Sequence, residues 1–300
     1  GLRAMGSTAG GEGLQRAYAL AARDFDGEAV NRVILATDGD FNVGITDPGE
    51  LERFIAEKRK TGIYLSILGV GAGNLNDALM QRLAQAGNGN AAYIDSLLEA
   101  RKVLSEELAS TLFPIADDVK FQVEFNPEHV GAYRLIGYET RMLRREDFKD
   151  DKVDAGDIGA GHSVTAIYEI MPLGAARADV DPLRYPRESG PPASMRNGEI
   201  AFVKVRYKLP GEIGSRLIKQ PVHAADALSA IDAAPAEQRF AIAVAAFGQR
   251  LRGESAVERF SYAAIADMAN AARGGDPEGY RAEFVRLVRM ADTLGLAARQ

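Results

Sequence analysis

Val33-Ile34-Leu35-Ala36-Thr37-Asp38-Gly39-Asp40 decides how this chain is read. An apolar, β-branched run without a 3.6-residue period ends in two carboxylates around a glycine. That pattern predicts a buried parallel strand. In an open α/β sheet, ligands sit at the carboxyl edge, where strands end. Asp38 stands at that edge, and Gly39 lets the backbone turn sharply.

The flanking sequence alternates helix and strand. Leu14, Ala17, Tyr18 and Ala21 recur at helical spacing, so an amphipathic helix is expected over 10–24, entered through Gly6-Ser7-Thr8-Ala9-Gly10. Asp47-Pro48-Gly49-Glu50 opens a second helix, with Asp47 at the N-cap, Pro48 at N1 and Glu50 at N3; Gly62 suits its left-handed stop. Ile63–Val70 reads as a second buried strand. A third helix over 76–86 is closed by Gly87. A short strand over 91–95 and a helix over 96–112 follow. This rhythm predicts a doubly wound, Rossmann-like parallel sheet with right-handed crossovers and helices on both faces.

From Pro114 the period changes. Val119, Phe121, Val123 and Phe125 alternate with polar residues, as in a half-buried antiparallel strand. Further strands are expected over 132–143, 162–171, 199–209 and 215–221, forming a β-sandwich-like domain. After Ala224 three amphipathic helices are expected, carried by Phe240/Val244/Phe247/Leu251, by Tyr262/Ile265/Ala266/Ala269 and by Phe284/Leu287/Val288/Ala291/Leu294. The expected divisions are an α/β half-domain over 1–112, a β-rich domain over 113–222 and a helical segment over 223–300 packed on the β-rich part.

Composition narrows the chemistry. A net charge of -6 argues against nucleic acid as a partner. Zero cysteines exclude disulfides, thiolate metal sites and a cysteine nucleophile. No run approaches the ~20 apolar residues of a membrane span. His129, His162 and His223 are far apart, which leaves no zinc-enzyme spacing. Gly69-Val70-Gly71-Ala72-Gly73 fails the dinucleotide pattern because Asn74 stands where its third glycine belongs. Gly6-Ser7-Thr8 places the serine one residue early for a nucleophile elbow. Residues 71–80 faintly resemble the acidic loop of haloacid dehalogenase-type phosphatases, which gives an alternative phosphotransferase reading with Asp38 and Asp77. The Asp38–Asn42 stretch departs from that family's nucleophile motif at its fifth position, and Asp77 is more simply a first-turn acid favoured by the helix dipole.

A hard-cation site remains. Mg²⁺ takes oxygen ligands and needs few protein carboxylates. Thr8 precedes a helix, Asp38 ends a strand, and their loops share the sheet's upper edge. The plain alternative makes Thr8 an N-cap and Asp38 a turn former.

Gly6–Gly10 before a helix, Val33–Gly39, Leu68-Gly69-Val70-Gly71, Met80, Leu83-Ala84 and Gly87-Asn88-Gly89 resemble the later half of a von Willebrand factor type A (VWA) domain. Asp118-Val119-Lys120, Glu124-Phe125-Asn126-Pro127, Tyr133–Glu139, Asp154-Ala155-Gly156 and Arg206-Tyr207-Lys208 resemble bacterial proteins in which such a domain precedes a C-terminal domain of unknown function. The resemblance implies a metal-ion-dependent adhesion site with Thr8 and Asp38 among its ligands. Its Asp-x-Ser-x-Ser motif is absent from this sequence, so the resemblance implies an N-terminally truncated sheet, with that motif before Gly1. It further implies Mg²⁺ or Mn²⁺ in the full-length parent, a protein partner whose acidic side chain completes the metal site, binding without turnover, and a place in the bacterial cell envelope, periplasmic or lipid-anchored. The export signal would then also precede Gly1. A metal-independent scaffold is the competing interaction role.

Overall fold

Three apolar runs between residues 31 and 94 become parallel neighbours. A computed structural model of the chain describes residues 10–37, 47–71, 75–106, 114–137, 142–151, 153, 155–174, 198–212, 214–258 and 260–295. It forms two compact units: Gly1–Lys120 with Lys149–Ser163 and Val205–Leu217, and Phe121–Phe148 with Val164–Lys204 and Ile218–Gln300.

The first unit begins with α1 (Gly10–Arg23), β1 (Asn31–Thr37), α2 (Pro48–Arg59), β2 (Ile63–Val70), α3 (Asp77–Ala86), β3 (Ala91–Ile94) and α4 (Leu97–Arg101). The strands form a parallel sheet in the order β1-β2-β3. The local signals act as their chemistry dictates. Asp47 accepts from the Glu50 backbone N–H at 2.7 Å and starts α2. Asn76 accepts from Leu79 N–H at 3.1 Å and starts α3. Gly62 takes φ +81 between α2 and β2. Leu14, Tyr18, Leu51, Ile55, Ile63, Leu65, Ile67, Met80 and Leu83 are buried in one core. Each such side chain contributes roughly 1.5–3 kcal/mol by leaving water.

Two expectations need correction here. Val33–Ala36 does not read out as a strand buried on both faces: Val33 is 8% exposed but Ile34 is 48% exposed. The reason is position, because β2 is the central strand and β1 lies at an end of the described sheet. The helix expected over 96–112 keeps α-helical bonding only through α4 and continues as a π-helical turn over Lys102–Glu106; residues 107–113 lie outside the described residues.

The β-rich part contains β4 (Pro114–Phe125), β5 (Val130–Ile136), β6 (Gly156–Gly159), β7 (Ile167–Pro172), β8 (Glu199–Lys208) and β9 (Arg216–His223). One sheet has the order β6-β4-β8-β9, and β5 and β7 form an antiparallel ribbon. The alternation read from Val119 inverts at its start, where Lys120 is 1% exposed and Phe121 is 55% exposed. The cause lies one residue upstream. Asp118 adopts φ +52, and the β4–β6 register shifts between Ala116 and Val119. A bulge of this kind re-aims the side chains beyond it. The strand β6 escaped the period-2 reading because it is four residues long and bounded by Gly156 and Gly159.

In the second unit, α5 (Ala236–Leu251), α6 (Tyr262–Ala271) and α7 (Tyr280–Thr293) close around Ala243, Ala246, Tyr262, Ile265, Val285 and Val288. Phe240, Phe247 and Phe284 pack edge to face beside this core, at ring separations of 5.4 and 5.5 Å. Ser261 caps α6 by accepting from Ala264 N–H at 3.1 Å.

Candidate functional site

Thr8, Asp38 and Asp40 lie outside the described residues. Described residues beside them in sequence lie at the carboxyl edge of the sheet. The strand β1 ends at Thr37, which is 8% exposed and lies in register with Gly69 of β2. The helix α1 starts at Gly10 and returns to β1 through a short connection, so its first turn belongs to the carboxyl edge of the sheet. At that edge the Tyr93 hydroxyl donates to the Gly71 carbonyl at 2.8 Å. Asp77 stands exposed in the first turn of α3, where Asn76 caps the helix. Among the described residues no group of three or more His, Asp or Glu could hold a metal ion.

The sequence did not single out three polar networks. The first centres on Asp157 of β6. Its Oδ2 accepts from Asn88 Nδ2 at 2.5 Å, and its Oδ1 accepts from the Asp118 backbone N–H at 3.2 Å. Asn88 has φ +51 and Asp118 has φ +52, so the described non-glycine residues with left-handed backbone both bond to Asp157. Arg32 of β1 contributes charge nearby. Burial lowers its guanidinium pKa, opposed by the charges of Asp157 and Tyr64, and its Nη1 donates to Ser66 Oγ at 2.8 Å.

The second network is built around Lys120. Its fully buried ammonium donates to the Asp150 carbonyl at 2.7 Å and stands 3.1 Å from Asp118 Oδ1. Lys208 of β8 approaches the same carboxylate at 2.9 Å. Two cations on one buried acid satisfy the charge that the fold has removed from water. Arg206 holds Asp151 through both carboxylate oxygens, at 3.0 and 3.1 Å.

The third lies in the second unit. Arg134 of β5 donates to Glu169 of β7 at 2.7 Å, to Gln249 Oε1 of α5 at 2.7 Å and to Glu254. Hydrogen bonds to Glu169 and Glu254 raise its pKa. Beside it a groove of about 440 Å³ is lined by Ile136, Ile167, Ala241, Val244, Ala245 and Gly248, with Arg252 and Glu254 also on its wall. Asp118-x-Lys120 at i, i+2 was the available sequence signal for the second network. Nothing local announces Asp157 or Arg134, whose partners lie 69 and 115 residues away.

Comparison with known proteins adds family and length. The family described as "Uncharacterized protein YfbK, C-terminal" matches residues 110–294. The chain is 47% identical over 291 residues to the "Uncharacterized protein YfbK" of Escherichia coli (strain K12), covering 97% of this chain and 50% of that protein. The chain thus spans about half the length of the curated relative it matches. Among solved structures, a von Willebrand factor type A from Catenulispora acidiphila is similar at a TM-score of 0.47 and 18% identity, over 96% of this chain and 64% of that one.

Proposed function

The chain belongs to the YfbK C-terminal family, and from that premise we propose that it serves as a non-enzymatic, metal-dependent protein-binding module of the bacterial cell envelope. One observation carries the reading: β1 ends at Thr37, immediately before Asp38, on the carboxyl edge of a parallel sheet. The resemblance to VWA domains then assigns Thr8 and Asp38 as a hydroxyl and a carboxylate ligand. Both are hard oxygen donors, which suits Mg²⁺ or Mn²⁺. Two ligands leave an octahedral ion incomplete, and the remaining protein ligands are assigned to no residue of this chain. When bound, the ion supplies a charge on which a carboxylate of the partner closes. This chain's own part is to supply Thr8 and Asp38, the latter directly after Thr37 at the end of a strand of the sheet whose core contains Leu65 and Ile67.

The test is calorimetric titration of the complete gene product with Mg²⁺ and Mn²⁺. Binding is expected in the wild type, weakened in Thr8→Ala and lost in Asp38→Ala. Metal binding unchanged by Asp38→Ala overturns the reading. Partner capture that survives both EDTA and Asp38→Ala replaces it with a metal-independent scaffold. Phosphatase turnover lost in both Asp38→Ala and Asp77→Ala would instead install the phosphotransferase.

A further inference from the structure

We infer that Asp157 is a clasp: its single carboxylate ties the α3–β3 turn to the start of β4, so the two segments open and close as one. The inference is independent of the metal reading. Left-handed backbone is uncommon outside glycine, and Asn and Asp are the residues that take it most readily when a neighbouring group bonds them. Asn88 and Asp118 are the described non-glycine residues in that region, at φ +51 and +52. They sit on different elements. Asn88 follows α3 and precedes β3, whereas Asp118 lies within β4. Both are held by Asp157, one through a side-chain amide and the other through its backbone N–H.

The two sides of the clasp are otherwise firmly seated. Behind Asn88, a Cβ on Gly89 would fall 1.9 Å from the Leu65 carbonyl oxygen, so the turn already presses on the central strand. Next to Asp118, Val119 and Lys120 are buried, and Lys208 and Lys120 flank its carboxylate. Each segment therefore has a left-handed turn residue beside a fixed anchor. Removing the shared acceptor frees both segments together. The rod between the clasp and the carboxyl edge is α3, whose Leu79, Met80 and Leu83 are locked in the core. A displacement of α3 would reach β4 through Asn88 and Asp157 without crossing solvent.

Hydrogen exchange followed by mass spectrometry tests the clasp on the whole chain, reading peptides over 84–92 and 114–120. Asp157→Ala is expected to speed exchange in both segments by about tenfold or more. Asp157→Asn, which keeps one acceptor oxygen, is expected to have a smaller effect in both. Acceleration confined to one segment overturns the inference. Should Asp157→Ala fail to fold, the same comparison in Asp157→Asn decides it.

Discussion

Arg281, in the first turn of α7, donates through both terminal nitrogens to the two carboxylate oxygens of Glu237, in the first turn of α5. The same guanidinium lies 4.9 Å from the centre of the Phe240 ring and donates to the Arg273 carbonyl at 3.1 Å. The hydrogen bond from Arg281 holds the Glu237 carboxyl below its usual range. Asp276, which accepts from the backbone N–H groups of Arg281 and Ala282, is also lowered: burial pushes it up, and those donors with the nearby arginines outweigh it.

The sign for Glu237 follows from linkage. A carboxyl whose folded pKa is depressed adds stability above its unfolded value, and that stability is lost as pH falls through the folded value. The unfolded value is near 4.3, so the gain is present at neutral pH and is lost progressively as pH falls below that value. Thermal melts of wild type and Glu237→Gln should differ at pH 7 and converge in acid. A gap that stays constant with pH would show that the pair is not coupled to folding. The exposed side chain of Glu237 and screening by salt keep the gap small.

Among the described glycines, Gly89 has little room for a side chain. Its missing Cβ would meet the Leu65 carbonyl oxygen at 1.9 Å and the Leu65 carbonyl carbon at 2.6 Å, both backbone atoms of the central strand. Backbone cannot give way as a side-chain tip can. Gly89→Ala should therefore cost about 3 kcal/mol or more in urea unfolding. Gly248→Ala, at a site with open space over the helix, should stabilise by about 0.5–1 kcal/mol. Equal responses at the two sites would contradict the packing.

What was legible in the sequence was local. Asp47 acts through a bond to a residue three positions away, and Gly62 through its own φ. Each such signal is written in a few consecutive letters. The apolar runs of β2 and α3 announced their burial because one period covers the whole element. Asp38 and Thr8 were legible as candidate ligands through their place in the strand–loop–helix order, and neither belongs to the described residues.

The remaining features were written across distance. Ile34 is half exposed because of its strand's rank in the sheet, which no period encodes. Lys120 is inward because Asp118 turns the strand, and Asp118 can turn because Asp157 receives its N–H. Composition marks a lysine as a surface residue, yet two nearby oxygens of the fold make the interior acceptable to this one.

Lys120 therefore gives a sharp expectation. Removing one partner of a buried ion pair usually costs about 3–5 kcal/mol, because the other charge stays buried. Asp118 would keep Lys208 at 2.9 Å, which places Lys120→Met toward the lower end of that range. Lys208→Met should cost less, since Lys208 keeps 18% side-chain exposure whereas Lys120 has none. Chemical denaturation of the two single variants and the double decides the order. A double variant equal to the sum of the singles would show that the two lysines do not share Asp118.

Tyr18 offers the opposite case, a polar atom that the core contains without satisfying. The residue is 0% exposed, its ring meets Phe54 edge to face at 5.6 Å, and its hydroxyl has no hydrogen-bond partner among the described residues. A buried hydroxyl without a partner loses its water bonds and gains nothing in return. Tyr18→Phe should leave stability unchanged or raise it by about 1 kcal/mol while keeping the ring contacts. Burial also pushes the phenol up to about 12, against 10.0 for an ordinary tyrosine. A raised folded pKa means the unfolded chain releases the proton first, so this group's contribution is fully present below about pH 10 and is lost as pH rises through the folded value. Wild type should therefore weaken in alkali more steeply than Tyr18→Phe. Denaturant midpoints from neutral pH to about pH 11 measure the difference. A Phe variant less stable than wild type at neutral pH would mean that the hydroxyl has a bonded partner after all.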